Sequence, residues 1–144
     1  MIDEKTITIF LVDDDPLFLK NLEIDFKEHT DFNVKLFPTG EKCIENLHMN
    51  PNVIILDYHL DGLDKNAMNG LQTLDKVKSA NPQIPVVILS SQDKIEVAVN
   101  CMHHHAFDYI VKSETAFVRL RKTLSSILKY QKIENALNWY KSKQ

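Results

Sequence analysis

Three aspartates, Asp13, Asp14 and Asp15, stand side by side in the stretch IFLVDDDPLFLK, between an apolar run and a proline. Two carboxylates about 4 Å apart repel by roughly 4 kcal/mol at an effective dielectric near 20. A strand end that carries such a cluster needs a cation there, or a separate task for each acid. A fourth acid, Asp57, closes the run NVIILD, Ser90 and Ser91 close PVVILSS, and Lys112 closes FDYIVK. Hard oxygen donors of this kind suit Mg²⁺ or Mn²⁺, which take one or two carboxylates plus water and phosphate oxygens. A hydroxyl and an ammonium opposite them suit the oxygens of a phosphoryl group. A carboxylate placed centrally among these groups is able to act as the nucleophile that receives it.

The elements that must position these groups are five short apolar runs: TITIFLV to Val12, FNVKLF to Phe37, NVIILD to Asp57, PVVILSS to Ser91 and FDYIVK to Lys112. Their length and Val/Ile content predict strands buried on both faces of a parallel sheet. Helical spacing appears between them: Phe18, Leu19, Leu22 and Phe26; Cys43, Ile44 and Leu47; Leu71, Leu74, Val77 and Lys78; Ile95, Ala98, Val99 and Met102. A last helix is predicted from an N-cap at Ser113, with Phe117, Leu120, Leu124 and Leu128 on one face. The alternation defines an α/β, doubly wound (βα)5 three-layer sandwich with right-handed crossovers. Ligands of such sheets bind at the carboxyl ends of the strands, where the candidate residues gather.

With 144 residues the chain suits one domain with a real core. Its 44% hydrophobic and 26% charged content is that of globular proteins, and a net charge of −3 gives no footprint for nucleic acid. No stretch reads as a signal peptide or a membrane span, so a cytoplasmic location is expected. Cys43 and Cys101 fall in predicted helices and read as packed, reduced thiols.

The ordered set formed by the acidic pair, Asp57 after VIIL, Ser90 after VVIL and Lys112 in YIVK resembles the receiver domain of two-component response regulators, over about residues 5 to 130. The resemblance implies a five-stranded sheet in flavodoxin-like order 2-1-3-4-5, a receiver over residues 1–130, and a C-terminal helical extension over 131–144. It implies Asp57 as phospho-acceptor. Asp14 would be a direct metal ligand, Asp13 a ligand through water, and Asp57 and the His59 backbone carbonyl further ones, around Mg²⁺ with Mn²⁺ as alternative. Ser90 and Lys112 would contact the phosphoryl group, and Tyr109 would turn inward as Ser90 moves. The donor would be a phosphohistidine on a sensor histidine kinase or a histidine phosphotransfer protein. The output face would be the fourth helix, fifth strand and fifth helix, which would also form any homodimer. The third aspartate then reads as a helix N-cap, with Pro16 at the first helical position. Such a domain catalyses its own phosphorylation and dephosphorylation but is a signalling module rather than an enzyme.

Two other classes remain open at this point. A haloacid-dehalogenase-like phosphatase places Asp-x-Asp after its first strand, and DDDP contains that spacing, though no cap region is evident. A phosphorylation-independent interaction module would carry the same pocket without binding Mg²⁺.

Several positions depart from the family pattern. DYHLDGLDKNAMNG lacks the Met-Pro pair and reaches Gly70 only after a short insertion around Asp61, Gly62, Asp64 and Asn66, read as a solvated loop or a reshaped rim. Ser113 replaces a proline often preceded by a cis bond, and a non-proline cis bond costs about 2.5–4 kcal/mol. His105 replaces a glycine at the end of the fourth helix, where a left-handed conformation is favoured. The neighbouring His103, His104 and His105 read as imidazoles at a helix end rather than a metal site, since adjacent helical residues point apart. His59 reads either as a plain loop residue or as a side chain beside the path of the water that hydrolyses the phosphoryl group. Tyr130, Ile133, Leu137 and Tyr140 continue an apolar pattern past the end of the sheet, as a longer final helix or the start of a connection.

Overall fold

Val/Ile-rich strands with apolar side chains on alternating sides need helices on both faces, and the chain supplies them. The computed structural model describes residues 6–62 and 64–143. The outer ends of the two predicted segments, residues 1–5 and 144, lie outside these. The elements run β1 Thr8–Val12, α1 Pro16–His29, β2 Asn33–Phe37, α2 Gly40–Glu45, a 3₁₀ turn Leu47–Met49, β3 Val53–Asp57, α3 Gly70–Ala80, β4 Val86–Ser90, α4 Ile95–His103, β5 Asp108–Val111 and α5 Ala116–Ser142. All neighbouring strands pair in parallel in the order β2-β1-β3-β4-β5, the flavodoxin-like order expected.

The period of two along each strand sorts the core into halves. Ile9 and Leu11 of β1, with Ile55, Leu89 and Ile110, pack beneath α1 and α5. Phe10 and Val12, with Ile54, Leu56 and Ile88, pack beneath α2, α3 and α4. The central strands β3 and β4 are buried throughout, whereas the edge strand β2 is only half-buried. Both cysteines are free and buried, and burial pushes the Cys43 thiol up to about 12 and the Cys101 thiol up to about 11. No helix among the described residues is long and apolar enough to cross a membrane.

Two expectations are corrected and several open alternatives are settled. The fourth helix was expected to pack through Ile95, Ala98, Val99 and Met102, but Ile95 is 75% exposed and Cys101 is the residue that meets the core. The last helix does not start from a Ser113 cap: its N-cap is Thr115, without a side-chain cap bond, and the Ser113 hydroxyl lies 3.3 Å from that of Thr115. No peptide bond among the described residues is cis. His105 does adopt the left-handed conformation, at φ 73°. The His104 ring leaves the helix end and meets the Asp75 carboxylate of α3 at 2.8 Å. The apolar pattern after residue 128 belongs to a longer final helix: α5 runs 27 residues without a break, with Tyr130, Ile133, Leu137 and Tyr140 all exposed.

Candidate functional site

The sheet's carboxyl edge gathers the acids because β1 and β3 are neighbours in register. Val12 pairs with Leu56, so Asp13 and Asp57 each stand one step beyond the same rung. Asp13, Asp14 and Asp57 each offer a carboxylate oxygen, all within 4.8 Å of one another. Asp13 is 3% and Asp57 5% exposed, so little water screens them. Lys112 answers that charge from the end of β5. Its Nζ lies 2.8 Å from Asp13 Oδ2 and 3.3 Å from Asp57 Oδ1. Its backbone N–H is fixed at 2.7 Å on the Ser90 carbonyl.

The charges are frustrated. Burial, then the negative charge of Asp13, push the Asp57 carboxyl from 3.8 up to about 7, against the opposing pull of Lys112 and the His59 backbone. Burial alone would lower the Lys112 ammonium, but hydrogen bonds and charge from Asp13 and Asp57 outweigh it, and its pKa is raised. One ammonium therefore does not neutralise the cluster. Three hard oxygens this close fit a small divalent cation, and Asp13, Asp14 and Asp57 are the residues that would hold it.

The third aspartate does separate work. Asp15 caps α1, its Oδ1 accepting from the Leu17 N–H at 3.0 Å and the Phe18 N–H at 3.4 Å, with Pro16 in the first turn. Its own N–H donates to Asp13 Oδ1 at 2.9 Å, so the cap also orients the neighbouring acid.

Ser90, fully buried at the end of β4, accepts from the Gln92 N–H through its Oγ at 3.0 Å. Tyr109 does not reach the acids. Its hydroxyl donates to the Gln92 carbonyl at 2.8 Å, and burial raises its pKa. The His59 ring is exposed, with Nε2 3.4 Å from Gln92 Nε2. Gln92 thus joins Ser90, Tyr109 and His59, and sequence reasoning passed over it. Two of its three contacts use backbone atoms, which no residue type advertises.

The insertion after Asp57 is solvated at Asp64, Lys65 and Asn66, as expected of a loop, and anchored at its two flanks. Leu60 is buried, Gly62 lies against Asp14, and the Met68 N–H donates to Glu41 Oε2 of α2 at 3.0 Å. Asn69 and Gln72 then close a capping box that starts α3. The three neighbouring histidines form no cluster: among the described residues, the acids named above are the group able to hold a metal ion.

A parallel doubly wound sheet with buried acids, a hydroxyl and a lysine at its carboxyl edge defines an α/β domain whose ligand site lies at that edge, with groups suited to a cation and an oxyanion. The family model described as response regulator receiver domain matches residues 9–140. The chain belongs to that family. It is 31% identical over 138 residues to a protein-glutamate methylesterase/protein-glutamine glutaminase of Clostridium acetobutylicum, covering 92% of this chain and 38% of that protein. It is 33% identical over 107 residues to the regulatory protein LuxO of Vibrio cholerae, covering 73% of this chain and 22% of LuxO. The chain therefore spans well under half the length of these relatives. The solved signal receiver domain of a LuxO repressor protein from Vibrio parahaemolyticus shares the fold with a TM-score of 0.80 at 23% identity, over 92% of this chain and 98% of that one.

Proposed function

We propose that this chain is a phosphorylation switch in which Asp57 accepts a phosphoryl group. The single observation that carries this reading is the central position of Asp57. It is buried, 3.3 Å from the Lys112 ammonium and grouped with two further acids able to hold a cation. In the step, an Asp57 carboxylate oxygen forms a bond to phosphorus while the phosphorus–nitrogen bond of a phosphohistidine breaks. The leaving imidazole nitrogen keeps that electron pair and takes a proton. A bound Mg²⁺ supplies charge neutralisation for the phosphoryl oxygens, Mn²⁺ being the alternative ion. Asp14 and Asp57 would hold it by their carboxylates and Asp13 through water, with the His59 backbone carbonyl as a further ligand.

Lys112 and Ser90 receive the phosphoryl oxygens, Lys112 by charge and Ser90 by its hydroxyl. Ser90 Oγ accepts from the Gln92 N–H and is free to donate its own proton to a phosphoryl oxygen. A movement of Ser90 toward that oxygen therefore bears on Gln92, which also holds Tyr109. The switch therefore runs from Ser90 through Gln92 to Tyr109, and its output face comprises α4, β5 and α5. A two-state element of this kind is biased by a local charge change. The donor is a sensor histidine kinase or a histidine phosphotransfer protein, and the setting is cytoplasmic. The domain acts in signalling, and its own turnover is limited to gaining and losing the phosphoryl group.

Intact mass after incubation with Mg²⁺ and acetyl phosphate tests the reading. Gain of one phosphoryl group by the wild type, and by neither Asp57→Asn nor a sample in EDTA, supports it. Gain by Asp57→Asn would move the acceptor to another carboxylate. No gain from acetyl phosphate or from a histidine-phosphorylated donor would sink it in favour of an interaction module.

A further inference from the structure

Lysine carries a compact charge on a flexible four-carbon stem, so a lysine that must meet a transferred phosphoryl group needs restraint. In this chain part of the restraint is aromatic. The Lys112 Nζ sits 4.2 Å from the centroid of the Phe18 ring, on an ammonium that also contacts Asp13 and Asp57. Phe18 is itself held. Its backbone N–H belongs to the Asp15 cap, and Phe117 at the start of α5 packs its ring against Phe18 at 5.8 Å with planes inclined by 72°. The third aspartate therefore bears on the lysine through the aromatic ring as well as on the helix.

We propose that Phe18 is a positioning residue for the phosphoryl step: its ring face confines the Lys112 ammonium over the acceptor. This inference rests on the phospho-acceptor reading and adds to it a residue which that reading does not use. The carboxylate partners of Lys112 change when Asp57 is phosphorylated, because one of its oxygens becomes bonded to phosphorus. The ring does not change. A neutral π face attracts a cation without competing for protons or metal, so it holds the ammonium in place before and after transfer. Without it, the side chain, already 21% exposed, gains access to water and loses its fixed aim. The plainer role of Phe18 is packing, since it also lies on the core beneath α1 and α5. The two roles differ in one respect: attraction to a cation depends on the electron density of the ring, and packing depends on its shape.

The test is the rate of phosphorylation by acetyl phosphate with Mg²⁺, for wild type, Phe18→Leu and a series carrying one, two or three fluorines on the Phe18 ring. Thermal unfolding of each variant checks the fold. Each fluorine drains the π face with little change of size, so the rate is expected to fall stepwise. The trifluorinated protein and Phe18→Leu should be about three- to tenfold slower than wild type. Loss of the ring-current shift of the Lys112 ε-methylene in Phe18→Leu should accompany the fall. A flat fluorine series, with or without a slow Phe18→Leu, would reduce Phe18 to packing and overturn the inference while leaving the phospho-acceptor reading intact. A wild type that gains no phosphoryl group would instead bring down the reading on which the inference stands, and both with it.

Discussion

Gly70 opens α3 directly against the backbone carbonyl of Asp57. A Cβ at this position would lie 2.5 Å from that oxygen and 2.6 Å from the Tyr58 carbonyl oxygen, the latter already accepting from the Gly70 N–H at 3.0 Å. The neighbours are backbone at the end of a buried strand, so neither can step aside. Gly70→Ala is expected to destabilise the protein by about 2–3 kcal/mol through overpacking. The check is urea unfolding, where the midpoint should fall with little change in slope. An unchanged midpoint would mean that the strand end yields.

The acceptor's burial gives stability a pH dependence whose sign can be worked out. Asp57 has a folded pKa of about 7 against 3.8 for a free aspartate, so between those values the folded state holds the extra proton. Stability from this group is present in full below about pH 4 and is lost as pH rises toward 7. In EDTA at pH 8, Asp57→Asn should therefore raise Tm, by about 3–5 °C if only 1 kcal/mol is recovered. The difference between the two proteins should shrink toward pH 4.5. A constant difference across that range would refute the assignment.

Close to the acids, Gly62 leaves Asp14 its freedom. A Cβ at Gly62 would stand 3.1 Å from Asp14 Oδ2, tight enough to turn a flexible carboxylate without disturbing the core. Gly62→Ala should weaken Mg²⁺ binding several-fold in calorimetric titration, while stability in EDTA stays within about 0.5 kcal/mol of wild type. Equal affinity would show that Asp14 does not need this room.

His105 holds φ at 73°, a conformation that costs a side chain roughly 1–2 kcal/mol and glycine little. Part of that is offset by the greater freedom of glycine in the unfolded chain. His105→Gly should gain about 0.5–1 kcal/mol in chemical denaturation. A loss would indicate that the imidazole makes up the strain through contacts of its own.

Strand number and the acidic, hydroxyl and lysine groups were legible because apolar runs mark the strands and particular residue types stand where they end, whereas the strand order came only with the family resemblance. Asp15 was legible for the same reason, as capping favours a short acceptor before Pro16. What stayed hidden follows from physics that residue type does not encode. Gln92 works through its N–H and C=O, which every residue but proline has. Helical spacing in α4 identified an apolar stripe, yet spacing cannot say which side of a helix meets the sheet, and Cys101 took that place. Two hydroxyls two residues apart, Ser113 and Thr115, competed for the start of α5, and neither side chain caps it. Phe18 read as one more apolar residue of α1, since its contact with Lys112 joins segments far apart in the chain.

The unbroken length of α5 has a mechanical consequence. Leu128 still packs on the core, and the Gln131 side-chain amide donates to the Asn52 carbonyl at 3.1 Å. From residue 132 to residue 142 the helix then extends about 15 Å at 1.5 Å per residue, with its side chains at Ile133, Leu137, Trp139 and Tyr140 exposed. That stretch forms a lever whose fulcrum is the anchored segment from Ala116 to Gln131. A tilt of about 10° at the fulcrum would carry the tip about 2–3 Å, nearly two helical residues of rise. Adjustments too small to alter the core are thereby enlarged at the far end, where Trp139 would report them as a change in fluorescence.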